Sequence, residues 1–380
     1  MDALENMLSD TFSDDQRAQV FLRLADGGLG FGSAEAAVAT AYLGSWALTL
    51  KDVARCLGET SWGGFQTRCG AVAASISRAE AHLHQLAGGS LGGVNWVDCL
   101  AEPKPKLQGV WSAKLRDWGR KELLRTLGED DRVDFRSAGG PGAGGFLEPP
   151  VQLEGEKPAE MPDAHFTIML QDRLRCNVCP EGARCQHRSK TGVLCNQPLD
   201  RRGKHVHKCE VGPTRTGRHD SIRDWTAKFH QKTTGLTAVT EQRVPAWDRV
   251  NPRTGRLEEA RLDVATRDAV TGRKIYVDTT VTCAHSDYQP RQRARANKDG
   301  LAASNAVDEK RERYPPSGGE LVPMAFETGG RPAEETRTFV RTWGQGLGPA
   351  ERTEVIRYAW QQLSKLVQIG NAEMLLSAIG

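Results

Sequence analysis

The stretch RLDVATRDAVTGRKIYVDTTVTC, residues 261–283, decides the fold of this 380-residue chain. Apolar and polar side chains alternate in both of its halves, which predicts two β-strands. Thr271-Gly272 lies between the halves and predicts the turn of a hairpin, so the strands should pair. Asp263 on the first strand and Asp278 on the second each lie on a polar face. We therefore expect the two carboxylates on adjacent strands of one sheet.

Periodic patterns surround this hairpin on both sides. They predict a helix over 218–232, strands over 239–244, 260–266, 274–283 and 321–326, a charged helix over 291–313, and a last helix that begins at Pro349. The order is helix, three strands, helix, strand, with further helices at the C-terminus. The N-terminal segment shows Ala-rich helical patches, and SAGGPGAGGFLEPP at 137–150 interrupts regular structure. An α+β fold is expected.

The acidic residues of these strands suggest a cation site. Asp263 and Asp278 would repel each other on one sheet edge unless a divalent cation with oxygen ligands neutralised them, and Glu241 lies on the preceding strand. Such an arrangement predicts Mg²⁺, which activates water for phosphodiester hydrolysis in metal-dependent nucleases. The alternative is a solvated sheet face. Aspartate is a poor strand former, so its place inside the second strand favours a functional role.

Charge is distributed unevenly along the chain. The formal net charge is only +3, yet residues 185–235 hold eleven Lys/Arg and four Asp/Glu, which makes that segment +7 and the remainder −4. A concentrated basic segment indicates a polyanionic partner. No run of about 18 apolar residues occurs, so we expect no membrane span. The acidic start lacks the order of a secretory signal, so we expect an intracellular protein.

Cysteine spacing predicts a metal centre. Five of the nine cysteines fall within 34 residues, and an odd number without a signal sequence argues against a disulfide scaffold. The pattern Cys185-x9-Cys195-x9-His205-x3-Cys209 offers three thiolates and one imidazole for structural zinc. Cys176-x2-Cys179 is an alternative pair that could replace either early ligand or help to bind a second ion. His207 is expected to face solvent as a base or phosphate contact.

Several short motifs, taken in order, resemble the C-terminal region of LINE-like retrotransposons, in which a zinc knuckle precedes a restriction-like endonuclease. The matching segments are Leu199–His205 with Cys209, Thr216–Asp220 with Ile222–Asp224, Arg261–Val264, Val277–Thr282, Lys310–Tyr314 and Met324–Gly330. Upstream, Gly27–Gly30 and Ser137–Leu147 resemble linker motifs of these elements. Each match is short, and their shared order carries the resemblance.

The resemblance implies a PD-(D/E)xK-type core with an αβββαβ order, in which Glu241, Asp263 and Asp278 are metal-binding acids. Thr280 stands where many such nucleases have the lysine that supports the attacking water, so that role passes to Lys310 or is lost. Leu262 replaces the usual proline, which does not affect metal binding. The nucleic-acid contacts are assigned to the knuckle and the first nuclease helix, namely Arg201, Arg202, Lys204, Arg218, His219 and Arg223.

The expected organisation has five parts: a helical region resembling a post-polymerase linker (1–136), a Gly/Pro-rich linker (137–164), a Cys/His zinc knuckle (165–214), a restriction-like endonuclease core (215–345) and a C-terminal helix (346–380). The chain is too short upstream of the knuckle for a polymerase, so it is interpreted as a fragment or remnant of a larger element.

Three hypotheses follow for function. The first is a nuclear, Mg²⁺-dependent DNA endonuclease module with structural zinc. The second is a catalytically inactive, zinc-dependent module that binds DNA or RNA, and the third is a zinc-stabilised structural protein. The expected partners are nucleic acid and the polymerase portion of a retroelement, with no membrane.

Overall fold

The computed structural model describes residues 1–89, 91–268, 271–316 and 319–380. It is a mixed α and β structure, as predicted. Its helices are α1 (Asp2–Leu8), α2 (Asp14–Val20), α3 (Ala34–Cys56), α4 (Trp62–Arg68), α5 (Gly70–Leu86), α6 (Trp96–Ala101), α7 (Leu107–Thr126), α8 (Glu129–Ser137), α9 (Asp163–Arg173), α10 (Thr214–Thr234), α11 (Gln289–Asn297), α12 (Leu301–Arg313), α13 (Glu334–Thr342) and α14 (Pro349–Ile379). Its strands are β1 (Val239–Arg243), β2 (Arg249–Val250), β3 (Leu257–Glu258), β4 (Arg261–Arg267), β5 (Lys274–Thr282) and β6 (Glu320–Glu327).

The chain divides into two compact units. One comprises Met1–Gln16, Leu24–Gly28 and Gly128–Gly380, and the other comprises Arg17–Arg23 and Leu29–Leu127. The second unit is helical, in agreement with the Ala-rich patches of its sequence. Its core is formed by buried apolar residues of α3, α4, α5 and the segment after them, among them Leu43, Leu50, Phe65, Ile76, Leu83 and Trp96. Because its helices bury small and aliphatic side chains together, this unit has a core of its own.

The first unit contains a four-stranded mixed sheet. Its strand order is β1-β4-β5-β6. Strand β4 is antiparallel to both of its neighbours, β1 and β5, and β6 is parallel to β5. The hairpin of β4 and β5 pairs Val264 with Val277, and one step further along this register places Asp263 opposite Asp278. A parallel partner requires a crossover, and α11 with α12 provides it between β5 and β6. The predicted order of helix, three strands, helix, strand is therefore present.

One local prediction was wrong, and one element was missed. The charged stretch 291–313 forms two helices, because α11 ends at Asn297 with an extended Lys298 and Gly300, with φ 70°, precedes the start of α12. Between β1 and β4 the chain also forms an antiparallel ribbon of β2 and β3 that alternation did not indicate. Each of its strands has two residues, which is too short for a periodic signal.

Both faces of the hairpin strands are covered. On one face, Val264 and Val277 pack with α10, α13 and α14, whose buried aromatic side chains include Phe229, Phe339 and Tyr358. On the other face, Ala265 and Tyr276 are paired across the strands and pack with Trp247, which precedes the ribbon. Asp263 and Asp278 are consequently 5% and 4% exposed, which contradicts the alternative of a solvated sheet face.

Helix α14 belongs to two cores at once. Its first half packs on the sheet through Tyr358 and Leu363, and its second half packs through Ala372 and Leu375 against the cysteine-rich segment. The cysteine-rich segment, the sheet and the C-terminal helix thus fold as parts of one unit. Among the described residues, none of the helices combines the length and the apolar character needed to cross a bilayer.

Candidate functional sites

The cysteine-rich segment brings four metal-ligating side chains together. Cys185, Cys195, His205 and Cys209 place one ligand atom each within 4.8 Å of all the others. The Sγ atoms of Cys195 and Cys209 are 3.7 Å apart, those of Cys185 and Cys209 are 3.9 Å apart, and Cys195 Sγ lies 3.3 Å from His205 Nε2. These are the four ligands that the spacing predicts.

The distances suit a zinc-type ion. A tetrahedral shell with Zn–S bonds of about 2.3 Å has S···S edges of about 3.8 Å, and Zn–N bonds are slightly shorter. Burial raises the pKa of the Cys209 thiol to about 12, although a bound cation favours the thiolate. Two of the three thiols, Cys185 and Cys209, are buried and Cys195 is half-buried, and apolar packing alone does not require them to converge. The cluster could therefore hold zinc as a Cys3His site.

The other cysteine and histidine candidates lie outside this cluster. Cys176 is buried and accepts a hydrogen bond from Gln16 Nε2 at 3.5 Å, and Cys179 is buried in the same core without joining the ligand set. His207 is 8% exposed and lies 3.7 Å from Asp172, which contradicts the prediction that it faces solvent. The structure thus brings together the set Cys185, Cys195, His205 and Cys209, and leaves Cys176 and Cys179 outside that cluster.

The acidic pair lies in the middle of the sheet. The backbone N–H of Thr279 donates to Asp263 Oδ2, which fixes this carboxylate against the neighbouring strand. Burial, reinforced by the charge of Asp263, raises the pKa of the Asp278 carboxyl to about 6 against the opposing effect of Lys310. Asp278 Oδ2 is buried, and its partner is the ammonium of Lys310. A ligand cation at this oxygen would have to share it with the lysine or displace the lysine.

Lys310 reaches the same place from α12. Its Nζ lies 2.8 Å from Asp278 Oδ2. Burial disfavours the Lys310 ammonium, but the charge of Asp278 and its hydrogen bond together outweigh burial and raise the pKa of the lysine above its ordinary value. The amine is therefore a cation at neutral pH. Lys310 and the two aspartates come from three different elements and converge on one face of β5.

His219 joins them from α10. Its Nε2 lies 3.0 Å from Asp263 Oδ2, and its Nδ1 lies 3.3 Å from Asp220. The hydrogen bond to Asp263 raises the pKa of the imidazole above its ordinary value. His219 was predicted as a nucleic-acid contact, and the structure places it at the acidic pair, where it orients Asp263.

Glu241 stands apart from this group. It is exposed on β1, with φ 55°, and its carboxylate pairs with Arg223, which also binds Asp220 at 2.9 Å. Within the described part of the chain, the acidic pair does not form a three-carboxylate cluster with Glu241. The structure thus brings Asp263, Asp278 and Lys310 together and leaves Glu241 on the rim.

Most of the predicted nucleic-acid contacts are already paired with acids. Arg201 pairs with Glu181, Arg202 with Asp131 and Asp134, and Lys204 with Asp130. Three of these acids belong to α8, so these three basic residues of the cysteine-rich segment are paired within their own unit. A phosphate would have to compete with these carboxylates, and the role of the three cations stays a prediction.

Arg218 requires a correction. It is 2% exposed, and its guanidinium donates to Asn371 on α14 and to the carbonyl of Val281 on β5. Gly370 makes this approach possible, since a Cβ there would lie 2.3 Å from Arg218 Cγ. Arg218 therefore ties three elements together inside the unit, and the prediction that it contacts nucleic acid is wrong.

Sequence reasoning missed the acidic partners of the cysteine-rich segment. Asp134 lies between Arg202 and His285, and these cationic partners outweigh burial and lower its pKa to about 2. Asp287 likewise forms an ion pair with a basic residue of this segment, Lys208. The run Glu129-Asp130-Asp131 was visible as an acidic counterpart to the basic segment, but nothing in one sequence shows that the two meet.

No protein-family model matches this sequence, and no curated protein matches it at a significant level.

Proposed function

We propose that this chain is a metal-dependent DNA endonuclease module of retroelement origin that nicks its target by phosphodiester hydrolysis. The observation that carries the proposal is the convergence of two buried aspartates on adjacent strands with a lysine 2.8 Å from one of them. Aspartate in a strand interior has no structural benefit. A buried acid with a raised pKa beside a specific charge partner is typical of a functional site.

The fold order supports the same proposal. The helix α10, the strands β1, β4 and β5, the helices α11 and α12 and the parallel strand β6 follow the αβββαβ order that the resemblance implies. The motifs Arg261–Val264 and Val277–Thr282 lie on the paired strands, and Lys310–Tyr314 lies at the end of α12. Independent motifs thus meet at one site, which a chance match of each motif would not require.

The residues fit a hard divalent cation. Asp263 and Asp278 offer carboxylate oxygens on one face of the sheet, and a cation at Asp278 Oδ2 would share that oxygen with Lys310 or displace the lysine. Mg²⁺ needs only one or two protein carboxylates, since substrate phosphates and water complete its shell. When bound there, it would polarise the phosphoryl oxygen and lower the pKa of a water ligand.

Each side chain has a separate part in this proposal. The two aspartates would hold the cation, which would supply the positive charge that attracts the scissile phosphate, and His219 keeps Asp263 in one orientation through its 3.0 Å hydrogen bond. The Lys310 ammonium orients the attacking water and offsets charge that develops on the phosphate. The water oxygen forms a bond to phosphorus, and the bond between phosphorus and the leaving oxygen breaks, with its electron pair and a proton on that oxygen.

One observation favours the inactive alternative. Thr280 occupies the strand position where many nucleases of this kind have lysine, and Lys310 and His219 already contact the two aspartates. A protein that has lost catalysis could keep this charge network as structure, with zinc and basic residues still binding nucleic acid. The two candidate functions differ only in turnover.

Nicking of supercoiled plasmid tests the proposal. Purified protein loaded with zinc should convert supercoiled plasmid to the open circle in buffer with Mg²⁺. After EDTA treatment, the same protein with zinc restored should not nick the plasmid in Mg²⁺-free buffer. Asp263→Ala together with Asp278→Ala should abolish nicking and keep salt-sensitive DNA binding. Glu351→Ala with Glu354→Ala, two exposed acids of α14, is the matched control and should nick normally. Wild-type protein that binds plasmid without nicking it would establish the inactive alternative.

A further inference from the structure

The ribbon between β1 and β4 projects a surface that the proposed nuclease does not use. In it, Val250 and Leu257 pair across β2 and β3, and they are 62% and 60% exposed. Residues directly opposite in an antiparallel pair share a face, so the two side chains form one small apolar patch. Two exposed aliphatic residues on so short a ribbon contribute nothing to the core of this unit.

The turn of the ribbon carries two free cations. Arg253 and Arg256 are exposed, and across the described residues neither has a carboxylate within ion-pair distance. The acids at the base of the ribbon are each paired with another arginine: Glu258 with Arg249 at 2.9 Å, Asp248 with Arg243 at 2.7 Å, and Glu259 with Arg261 at 2.9 Å. The positive charge that remains is therefore at the tip.

The turn is fixed before any partner arrives. Asn251 accepts from the N–H groups of Arg253 and Thr254 through its side-chain oxygen, at 2.8 and 3.1 Å. Its own N–H donates to the carbonyl of Arg256 at 2.8 Å, and Gly255 supplies the positive φ of 66° that the turn requires. A preformed turn loses little conformational entropy on binding, so its contacts contribute more fully to affinity.

The ribbon is also anchored beside the acidic pair. Trp247 at its base is 3% exposed, its indole N–H donates to the carbonyl of Pro315 at 2.6 Å, and its ring lies edge-on to Tyr276 at 5.2 Å. Arg313 donates to the carbonyl of Trp247 at 2.8 Å. Arg313 lies one turn after Lys310 on α12, and Tyr276 lies two residues before Asp278. Two of the elements that build the acidic site thus hold the ribbon.

We propose that this ribbon is a DNA-reading arm, which places Arg253 and Arg256 in the minor groove of a duplex while Val250 and Leu257 contact the sugars and base edges. The inference rests on the proposed function for its choice of duplex DNA. Arginine beside exposed apolar residues suits the minor groove, whose narrow, A·T-rich form attracts guanidinium groups. Because the arm is rigidly held, it fixes which phosphodiester lies at Asp263 and Asp278.

Three variants of the full chain test the arm by equilibrium binding to an A·T-rich duplex over a range of salt. Arg253→Ala with Arg256→Ala should weaken binding about 10- to 100-fold and lower the salt slope by about 2, one counterion per lost phosphate-like contact. Val250→Ser with Leu257→Ser should weaken binding and leave the slope unchanged, because apolar contacts release no counterions. Arg55→Ala with Arg125→Ala removes the same charge from other exposed sites and should bind normally.

Competition decides between grooves and partners. Netropsin, a minor-groove ligand, should displace the wild type, and methyl green, which occupies the major groove, should not. Three results would contradict the proposal that the ribbon binds the minor groove. They are displacement by methyl green alone, equal displacement by polyglutamate, and an arginine variant with wild-type affinity and salt slope. Asp263→Ala with Asp278→Ala keeps the arm, so its binding should remain. Failure of wild-type nicking would thus count against the nuclease and leave the binding result standing.

Discussion

Lys310 Nζ lies 2.8 Å from Asp278 Oδ2, so a lysine near the end of α12 reaches a carboxylate in the interior of β5. The strand itself offers Thr280 two residues after Asp278, and a threonine cannot supply a cation there. The helix supplies that cation because α11 and α12 return the chain across the sheet before β6 pairs with β5. The positive charge beside Asp278 therefore comes from α12 and not from β5 itself.

Lys310→Met should remove nicking without unfolding the protein. Loss of one preorganised charge at a transition state typically costs about 10²- to 10³-fold in turnover, and methionine keeps most of the apolar stem. The measurement is the single-turnover nicking rate, with zinc content and DNA affinity checked in parallel. Lys310→Arg preserves the charge and should retain part of the rate. A methionine variant with the wild-type rate would exclude the lysine from the reaction.

Asp278→Asn should change how stability depends on pH. The pKa of Asp278 is raised to about 6 in the folded protein and is about 4 when unfolded, so the folded state binds the proton more tightly. Its ionisation therefore lowers the free energy of unfolding progressively as pH rises through this window. Asparagine resembles the protonated acid and avoids that loss.

The free-energy difference between Asp278→Asn and wild type should thus grow in favour of the variant by about 1 kcal/mol from pH 5 to pH 8. Urea unfolding in Mg²⁺-free buffer measures it, and Asp117→Asn, at an acid on the helical unit, is the control. A difference that is independent of pH would show that the Asp278 pKa is not raised.

Local patterns were enough to predict the hairpin and the Cys3His cluster that could hold a metal ion. Alternation and the Thr271-Gly272 turn depend on neighbouring residues, and the sequence spacing of Cys185, Cys195, His205 and Cys209 reflects the loop lengths that bring four ligands together. Both signals are contained in a short segment. The structure therefore agrees with them closely.

Partners that come from distant segments could not be predicted. Arg218 looked like a surface cation because its helix is polar, yet Gly370 and Asn371, far along the chain, create a buried place for its guanidinium. The sequence likewise predicts a phosphate contact for Arg202, whereas α8 supplies Asp131 and Asp134 as its partners. A charged side chain in the sequence indicates that it needs a polar or oppositely charged partner. Tertiary packing determines whether that partner is another part of the chain or a ligand.

Cys209→Ser should abolish stoichiometric zinc binding and destabilise the unit that contains the sheet. Cys209 is buried in the same core as Leu375 and Ala378 of α14, so loss of the metal should loosen the helix that also covers the sheet. Structural zinc contributes several kcal/mol to folding, which corresponds to a fall in Tm on the order of 10 °C.

Zinc content by mass spectrometry under native conditions and Tm by calorimetry measure this effect. Cys176→Ser is the control, since Cys176 is buried beside Gln16 but lies outside the ligand cluster, so this variant should retain one zinc ion. If Cys176→Ser lost zinc and Cys209→Ser kept it, the ligand assignment would have to be replaced.

Two glycine-to-alanine changes on helices should have opposite effects. Alanine normally stabilises a helix over glycine by about 0.5–1 kcal/mol. At Gly217, exposed in α10, a new Cβ has open space, so Gly217→Ala should raise the free energy of unfolding by that amount. At Gly370 in α14 the new Cβ would lie 2.3 Å from Cγ and 2.5 Å from Cβ of Arg218. Those atoms are at the root of the side chain and cannot swing away.

Gly370→Ala should therefore lower the free energy of unfolding by about 1–3 kcal/mol despite the better helix former. It should also release Arg218 from Asn371, because the guanidinium can no longer lie against α14. Urea unfolding measures the stability of both variants, and the salt slope of DNA binding checks the role of the arginine. Since Arg218 is buried, Arg218→Gln should destabilise the protein and leave that slope unchanged. A reduced slope in a folded Arg218→Gln protein would return this arginine to the DNA-binding surface.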